Sequence, residues 1–243
     1  LEAIGRDGQR VLVKALTSPD PEVRFLAAEG LAYQGLPEAA PILGQIAISV
    51  APFRWHAITA LASMDDVEAG SALANLLHLP EIETRYGAFR AMLARSPYDP
   101  TVAGQRIADQ FHLHVIVSSG PPAIHFARVR RPEVVVFGHE QRVDPRFLFV
   151  GPGLTVQAID TEQVKISKYD HATGDQVRFC SSRIDALIAE LGNLGTRYGD
   201  LLKLFRDADS KGMLPGRLAV HAIPNPNRRY DRQPGQLALP DQS

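Results

Sequence analysis

Several features that would indicate a redox, membrane or nucleic-acid function are scarce in this chain of 243 residues. Cys180 is the only cysteine, so an intrachain disulfide and a multi-cysteine metal site are both excluded. The longest apolar runs are far shorter than the roughly 20 residues needed to cross a bilayer, and we predict no transmembrane segment. A formal net charge of -1 gives little attraction to nucleic acid or an anionic membrane, so we expect no nucleic-acid partner.

Recognisable catalytic motifs are missing as well. The sequence contains no Ser-His-Asp order, nucleophile elbow or HExxH motif. GPGLT (151–155) lacks the lysine and the glycine spacing of a phosphate loop and is predicted to be a turn. Cys180 lies in an apolar strand pattern and is expected to be an inert core residue. We therefore predict a protein without catalytic residues, metal or cofactor.

Three segments of the first hundred residues are similar to one another. VRFLAAEGL begins at Val23, FRWHAITAL at Phe53 and TRYGAFRAM at Thr84, which are spacings of 30 and 31 residues. Each has arginine in its second place, an aromatic residue in its third, and small or apolar residues in its fifth, eighth and ninth. The matched residues are Arg24, Arg54 and Arg85; Phe25, Trp55 and Tyr86; Ala27, Ala57 and Ala88; Gly30, Ala60 and Ala91; and Leu31, Leu61 and Met92. This pattern is typical of a helix face that another backbone approaches closely.

Amphipathic segments precede these copies, so each copy is predicted to be the second helix of a pair. The first helices are expected at about 8–17, 37–48 and 67–79. Proline and aspartate fall in the breaks between helices, where they suit a first helical turn and an N-cap. A unit of helix, turn and helix at this period predicts an α-solenoid over residues 1–111, with one further helix around 101–111.

The period of the apolar residues changes after residue 111. Short segments rich in β-branched and aromatic residues predict seven strands, at 112–118, 123–129, 133–138, 146–151, 154–160, 163–169 and 175–181. They indicate a small antiparallel sandwich or partly closed barrel. The helical period returns after Ser182 and predicts two helices, followed by a last strand at 217–223. We therefore expect an α+β fold, with a β-rich domain over 112–223 and a proline-rich disordered tail or linker over 224–243.

Histidines are the candidate metal ligands of the β-rich part. His112 and His114 would share one face of a strand with His125 on the next, which makes a three-histidine site one alternative. Ordinary histidines on a strand face are the favoured alternative, because no acidic or cysteine ligand has a suitable spacing. His171 falls in a predicted hairpin, where turn formation explains the neighbouring Asp170 and Asp175. The basic stretch RVRR (128–131) is predicted to be a charged, solvated sheet edge.

The repeated segments resemble short HEAT-like repeats, and DPEVRFLAAEGL (20–31) is the closest match. In that family an acidic residue of the turn commonly meets the arginine of the second helix. Here Asp20 precedes Arg24 and Glu81 precedes Arg85, whereas the middle copy has Val50 before Arg54. Two roles are open for these arginines: structural pairing with turn carboxylates or carbonyls, or contact with a ligand. Two roles are likewise open for Trp55, His56 and Tyr86: a partner-binding surface, or packing between units. Packing is favoured, because aromatic residues at matched columns more often pack between units.

The whole chain resembles a group of planctomycete proteins described as related to the flagellar basal-body P-ring protein. The residues that carry this resemblance are ETRYGAFRAM (83–92) and DQFHLHVIVSSGPPAIHFARVRRPEVVVFG (109–138). The resemblance implies a non-enzymatic role in a ring around the flagellar rod, with protein partners, self-assembly and a periplasmic or cell-envelope location. A cytoplasmic location is the alternative. Leu1 lies within a helical pattern, so we expect the sequence to be a fragment of a longer protein.

Short HEAT-like repeats also resemble those of bilin lyases and of hydroxylases that carry metals. This resemblance gives the alternative function, an enzyme or a protein that binds a small molecule or metal. Those hydroxylases use paired His-Glu motifs, and no such pair occurs inside the repeats, since His139-Glu140 lies in the β-rich part. We therefore favour a structural or protein-interaction scaffold, because a solenoid exposes a long continuous surface.

Overall fold

The first part of the chain is helical. The structure, a computed structural model, describes residues 6–128, 131–169 and 174–226. Up to residue 97 the described residues form α1 (Arg6–Ala15), α2 (Pro21–Ala32), α3 (Ala39–Ser49), α4 (Arg54–Ser63), α5 (Val67–Leu76) and α6 (Ile82–Arg95). A short 3-10 turn, Ala51–Phe53, precedes α4. These bounds confirm the three predicted pairs of helices.

Aspartate side chains cap two of these helices. Asp20 accepts a hydrogen bond from the backbone N–H of Glu22 at 2.8 Å, and Pro21 occupies the first turn of α2. Asp66 accepts one from the backbone N–H of Ala69 at 2.8 Å at the start of α5. Each carboxylate satisfies an amide that has no partner within the helix, which explains why the helices begin at these breaks.

Small residues let the helices approach one another closely. Consecutive helices from α1 to α5 are in contact, and contacts also join α2 to α4 and α3 to α5. The fifth-place residues Ala27, Ala57 and Ala88 are at most 2% exposed. A Cβ built on Gly44 of α3 would lie 3.2 Å from the Cβ of Ala72 in α5, so little more than a methyl group separates these backbones. The matched columns of the sequence are therefore the helical core.

The rest of the chain combines strands with two helices. The described residues form β1 (Gly104–Ile107), β2 (Phe111–Ile116), β3 (Ala123–Arg128), β4 (Pro132–Phe137), β5 (Leu148–Gly151), β6 (Leu154–Ala158), β7 (Gln163–Lys168), β8 (Gln176–Ser181), α7 (Ile184–Asn193), α8 (Tyr198–Ser210) and β9 (Arg217–Val220). One sheet has the order β1-β2-β4-β3-β9 and the other the order β5-β6-β7-β8. Both sheets and both helices contribute to one buried core, with large members Phe111, Phe126, Phe147, Phe149, Leu187, Leu191, Leu204 and Phe205.

The predicted antiparallel β domain is only partly right. The second sheet is antiparallel throughout, but β2 pairs with β4 in parallel and β3 pairs with β9 in parallel. The physical reason is that β4 lies between β2 and β3, because a connection that contains Pro121 and Pro122 cannot form a tight two-residue hairpin. All three strands are mostly buried. Such near-continuous apolar runs are typical of central strands.

The helix predicted around 101–111 is wrong. Instead β1 pairs antiparallel with β2, and Ala108 and Asp109 turn the chain between them with left-handed φ angles of 43° and 57°. The buried residues of this segment are Val102, Ile107 and Phe111. Ile107 and Phe111 have a helical spacing, but Val102 lies five positions before Ile107, so the three do not form the continuous i, i+3, i+4 stripe with which a helix buries one face.

The chain forms two compact units. The helical unit contains the described residues within 1–77, 83–97 and 223–243, and the β unit contains those within 78–82 and 98–222. Residues 98–111 thus belong to the β unit, whereas we predicted that they belong to the helical solenoid. Among the described residues no helix combines the length and apolarity that a membrane crossing requires. Predictions for Asp170, His171, residues 129–130 and residues 227–243 concern positions outside the described residues.

Candidate protein-interaction surface

Two of the matched arginines bind backbone carbonyls at the turn before their own helix. Nη1 of Arg24 donates to the carbonyl oxygens of Ser18 and Pro19 at 2.7 and 2.9 Å. Arg54 donates from Nε to Ala47 O at 2.7 Å and from Nη2 to Ile48 O at 3.0 Å, in the last turn of α3. A cation at the carboxyl end of a helix binds carbonyls that have no partner within the helix. These contacts match the structural alternative in which the acceptors are carbonyls.

Two arginines of α6 differ in their surroundings from Arg24 and Arg54. Arg85 is 1% exposed, so its side chain is part of the helical core, whereas Glu81 is exposed. Arg95, at the end of α6, donates to Leu61 O at 3.1 Å and to Asp66 O at 3.0 Å, and so holds the turn between α4 and α5. The repeat pattern did not predict a role for Arg95, because this residue lies outside the matched columns.

The aromatic third-place residues are mainly packing residues. Phe25 is fully buried and stacks on Phe53, with ring centroids 4.6 Å apart and an interplanar angle of 4°. Tyr86 is 1% exposed and lies 5.9 Å from the ring of Phe89. Because Tyr86 fills the core, its side chain is not accessible to a partner. The partner-binding alternative is therefore wrong for Tyr86. Trp55 is half-buried and retains an accessible part.

The fourth-place residues of the three copies are Leu26, His56 and Gly87. They form a column on the second helices whose members differ from one another in chemical type and in burial. Leu26 is 50% exposed, His56 is half-buried and Gly87 is buried. The imidazole of His56 packs near the ring of Phe25, and the two ring centroids lie 6.4 Å apart. The sequence comparison overlooked this column because its three residues share no chemical type.

Residues 223–226, which belong to no helix or strand, contact two members of this column. Pro224 is buried, and a Cβ built on Gly87 would lie 2.9 Å from Pro224 Cγ and 3.3 Å from Ile58 Cδ1. Nε2 of His56 lies 3.0 Å from the carbonyl oxygen of Pro226. Because that oxygen can only accept, the imidazole must carry a proton on Nε2. The first residues of the predicted tail thus pack on the helical unit.

The three histidines of the predicted metal site, His112, His114 and His125, each have other contacts. The rings of His112 and His114 lie 6.3 Å apart, and Nδ1 of His114 contacts the carbonyl oxygen of Val102 at 2.8 Å. Nε2 of His125 accepts from the backbone N–H of Ala222 at 3.0 Å. No group of three His, Cys, Asp or Glu residues that could hold a metal occurs in the described part of the chain.

Burial sets the ionisation of His125. The residue is 0% exposed, and desolvation is the main cause that lowers its pKa from 6.5 to about 4. Nε2 lies 3.0 Å from Ala222 N and 3.2 Å from Ala222 O, and the two contacts require opposite protonation states. The lowered pKa favours the neutral ring, which can make only one of these two contacts at a time through Nε2. His125 is therefore a structural histidine.

Three further reactive groups of the sequence lie among the described residues, and their surroundings differ. Ser119 Oγ lies 3.2 Å from Nδ1 of His78, but the backbone N–H of Ser119 donates to the same nitrogen at 3.1 Å and so occupies its lone pair. Burial raises the pKa of the Cys180 thiol to about 11, which keeps it protonated and unreactive at neutral pH. His139 and Glu140 are both exposed.

One cavity of the β unit has a basic lining. It has a volume of about 360 Å³ and lies beside the β5–β6 hairpin and the start of α8. The GPGLT stretch is a turn, as predicted, and its first four residues form one wall of the cavity. The Lys168 ammonium already donates to the carbonyl oxygen of Leu194. The charged lining residues are Lys168, Arg197, Asp200 and Lys203. The cavity could bind a small anion, whereas it contains no paired acid and base for catalysis.

The comparisons with known proteins agree with the helical unit. Residues 9–94, about a third of the chain, match the family model described as HEAT repeats, and this span covers nearly all of α1 to α6. No curated protein and no solved structure matches the chain. The resemblance to P-ring-related proteins therefore gains no support. Residues 9–94 therefore carry HEAT-like repeats.

Proposed function

We propose that the protein is a non-catalytic scaffold that binds another protein through the outer face of its second helices. The observation that carries this proposal is the fourth-place column, which lies on HEAT-like repeats, leaves Leu26 half exposed and holds Pro224 against Gly87. We further propose that the repeats stack as a short α-solenoid, because such stacking presents equivalent positions of successive helices as one continuous surface.

Site-specific photocrosslinking tests this proposal. A photoreactive amino acid replaces Leu26 in the full chain, and the protein is mixed with an extract of the cells that produce it. The matched control carries the same amino acid at Val67, which is 79% exposed and lies on α5, a first helix. We expect a crosslinked partner from position 26 and none from position 67. Equal crosslinking from both positions, or none from either, would contradict a specific partner surface on the second helices.

A finer proposal concerns the assembly. The resemblance to P-ring-related proteins suggests a ring of many copies in the periplasm or cell envelope, whereas a single chain has a mass of 26.6 kDa. Light scattering on the purified full chain would give a mass many times larger if it assembles by itself. A monomer mass would remove the self-assembling ring and leave the binding of a different protein as the scaffold function.

The basic cavity supports a second candidate, the binding of a small anionic molecule. Lys203 is exposed and, together with Arg197, gives the cavity positive charge that Asp200 only partly offsets. Inorganic phosphate and pyrophosphate are suitable probes. This candidate predicts that they raise the melting temperature of the full chain, and that Lys203→Gln reduces the rise. An unchanged melting temperature at millimolar probe would remove this candidate.

A further inference from the structure

From the contacts of residues 223–226 we infer that the fourth-place column is a groove for an extended, proline-containing polypeptide, and that the protein's own segment occupies it. A partner would then bind by displacing this segment. The inference rests on the proposed scaffold function and adds the chemistry of the ligand and a means of regulation. It depends on Gly87, His56 and Leu26, which occupy the same place in three successive repeats.

The two prolines of the segment contact two successive repeats, in the order opposite to that of the repeats along the chain. Pro224 packs on Gly87 of α6, and Pro226 contacts His56 of α4 two residues later. Neighbouring helices pack about 8–10 Å apart, and two extended residues span at most about 7 Å, so the side chain of His56 covers the remainder. The register is therefore one proline for each repeat. The next residue in the column, Leu26 of α2, is half exposed and could accept the continuation of a longer ligand.

The chemistry of proline explains how Pro224 can be buried without a β-strand partner, whereas the other residues of the segment are exposed. Proline has no backbone N–H, so Pro224 enters an apolar site without leaving a donor unsatisfied. Two residues later, the carbonyl oxygen of Pro226 accepts a hydrogen bond from Nε2 of His56. Residues before proline favour extended conformations, so Ile223 and Asn225 are biased toward the bound shape before binding. Low conformational entropy and exposed carbonyls are the basis of polyproline recognition in general.

Gly87 gives the groove its shape. A side chain at this position would meet both the ring of Pro224 and the end of Ile58, so only glycine leaves room for the proline. Glycine in a helix interior is less favourable than alanine. A glycine in the middle of α6 is therefore explained by the proline that packs on it. On the other repeats the equivalent place holds His56, which supplies the donor, and Leu26, which supplies apolar surface.

Because residues 223–226 occupy the groove, they lower the apparent affinity of a partner for it. A tethered segment competes at an effective concentration in the millimolar range, so a free ligand of equal intrinsic affinity binds much more weakly to the intact protein. Any change that removes residues 223–226 from the column should expose the groove. A partner with more contacts, such as one that reaches Leu26, would displace the segment without such a change.

A labelled peptide tests the groove directly. The probe is fluorescein-labelled HAIPNPN, the sequence of residues 221–227, and the control is HAIANAN, which lacks both prolines. Fluorescence anisotropy measures binding to the full wild-type chain and to full-length Pro224→Glu, in which a charged side chain cannot enter the groove. We expect the variant to bind HAIPNPN at least 10-fold more tightly than wild type does, because the groove is open. We expect HAIANAN to bind neither.

Two further variants locate the site. Adding Gly87→Ala to Pro224→Glu places a methyl group where the peptide's proline must pack, and we expect at least a 10-fold loss of affinity. Adding His56→Ala removes the donor, and the loss should be about 2- to 10-fold. Circular dichroism confirms that each variant is folded, and Pro224→Ala with Pro226→Ala replaces Pro224→Glu if that variant is unfolded. Equal binding by wild type and the opened variant, no binding by either, or binding unaffected by Gly87→Ala would overturn the inference.

The outcome separates this inference from the scaffold function. Peptide binding needs no natural partner, so a groove that behaves as expected without any crosslink from position 26 would leave the inference standing and remove the scaffold proposal. A partner that crosslinks to position 26 equally well in wild type and in Pro224→Glu would support the scaffold and contradict competition by residues 223–226.

Discussion

The helical unit and the β unit reach stability by different means. In the helical unit the defining contacts are local: Arg24 binds a carbonyl six residues away and Arg54 one seven residues away. In the β unit Tyr198 donates to Ala127 O over 71 residues, and His125 contacts Ala222 over 97. A short contact costs little chain entropy to form, whereas a long one becomes favourable only when many form together. The β unit therefore depends more on its shared core.

The two cores also differ in the size of their side chains. Alanine and glycine fill the matched columns of the helical unit, whereas Phe111, Phe126 and Phe205 fill the β core. Small residues make helices approach closely, so the backbones themselves supply much of the packing. Large rings fill the wider space between sheets and helices. The helical core should thus be sensitive to added atoms and the β core to removed atoms.

Removing a ring from the β core should have the largest effect. Phe126 is fully buried, with the rings of Tyr198 and Phe205 at 5.8 and 5.7 Å. We expect Phe126→Ala to lower the free energy of unfolding by about 3–5 kcal/mol, through lost burial and the cavity left behind. Urea unfolding followed by circular dichroism measures it, with Phe179→Ala at a 57% exposed position as the control. A loss below about 1 kcal/mol would show that this core is not the main support of the β unit.

A pH effect of similar size should come from His125. Its pKa is about 4 in the folded protein and 6.5 in the unfolded chain, so the unfolded chain binds a proton first as the pH falls. The stability from the neutral ring is complete above pH 6.5 and is lost on the way to pH 4, by up to about 3 kcal/mol. Urea midpoints between pH 7 and 4.5 measure the loss. The variant His125→Gln should have a flatter profile, and an equal slope would contradict the assignment to His125.

Enlarging a small residue of the helical core should cost less than removing a ring of the β core. Ala57 is 0% exposed in the fifth-place column. We expect Ala57→Leu to lower the free energy of unfolding by about 1–3 kcal/mol, because the added atoms must push neighbouring helices apart. The fluorescence of Trp55, the only tryptophan, reports on this unit during urea unfolding. Thr59→Leu, at an exposed position of the same helix, is the control, and equal losses would refute close packing at Ala57.

The smallest effect should come from a carbonyl-binding arginine. We expect Arg54→Met to lower the free energy of unfolding by about 1–2 kcal/mol, since it leaves the carbonyls of Ala47 and Ile48 to water and removes a cation from the end of α3. Arg54→Lys should recover only part of the loss, because an ammonium cannot reproduce both directions of the guanidinium. Full recovery by lysine would mean that charge alone matters, and Trp55 fluorescence measures both variants.

The sequence predicted the helical unit better than the β unit. The three repeat copies located the second helices and identified Ala27, Ala57 and Ala88 as buried, because a helix face recurs within a few residues of its own chain. Seven predicted strands were located as well. The parallel pairing of β2 with β4 was not predicted, since nothing within either strand states which neighbour lies beside it. The prediction of a helix over residues 101–111 was wrong because the segment has few apolar residues, and their spacing does not form a continuous helical stripe.

The candidate site shows the same division. His56 was identified as a surface candidate from its place beside the matched columns, and Tyr86 was wrongly included because an aromatic side chain suits both a surface and a core. Gly87 was not singled out, although it lies in the most informative copy. Its role becomes visible only with Pro224 in place, 137 positions further along the chain.

The sequence by itself determined where the helices and most strands lie, which residues of the repeats are small enough to be buried, and that cysteine chemistry is nearly absent. These properties depend on periodicity and composition, which are local. The tertiary structure decided the strand order, the carbonyl acceptors of the arginines, the neutral state of His125 and the placement of residues 223–226 on the second helices. Each of these depends on atoms from distant parts of the chain, whose proximity no local pattern encodes.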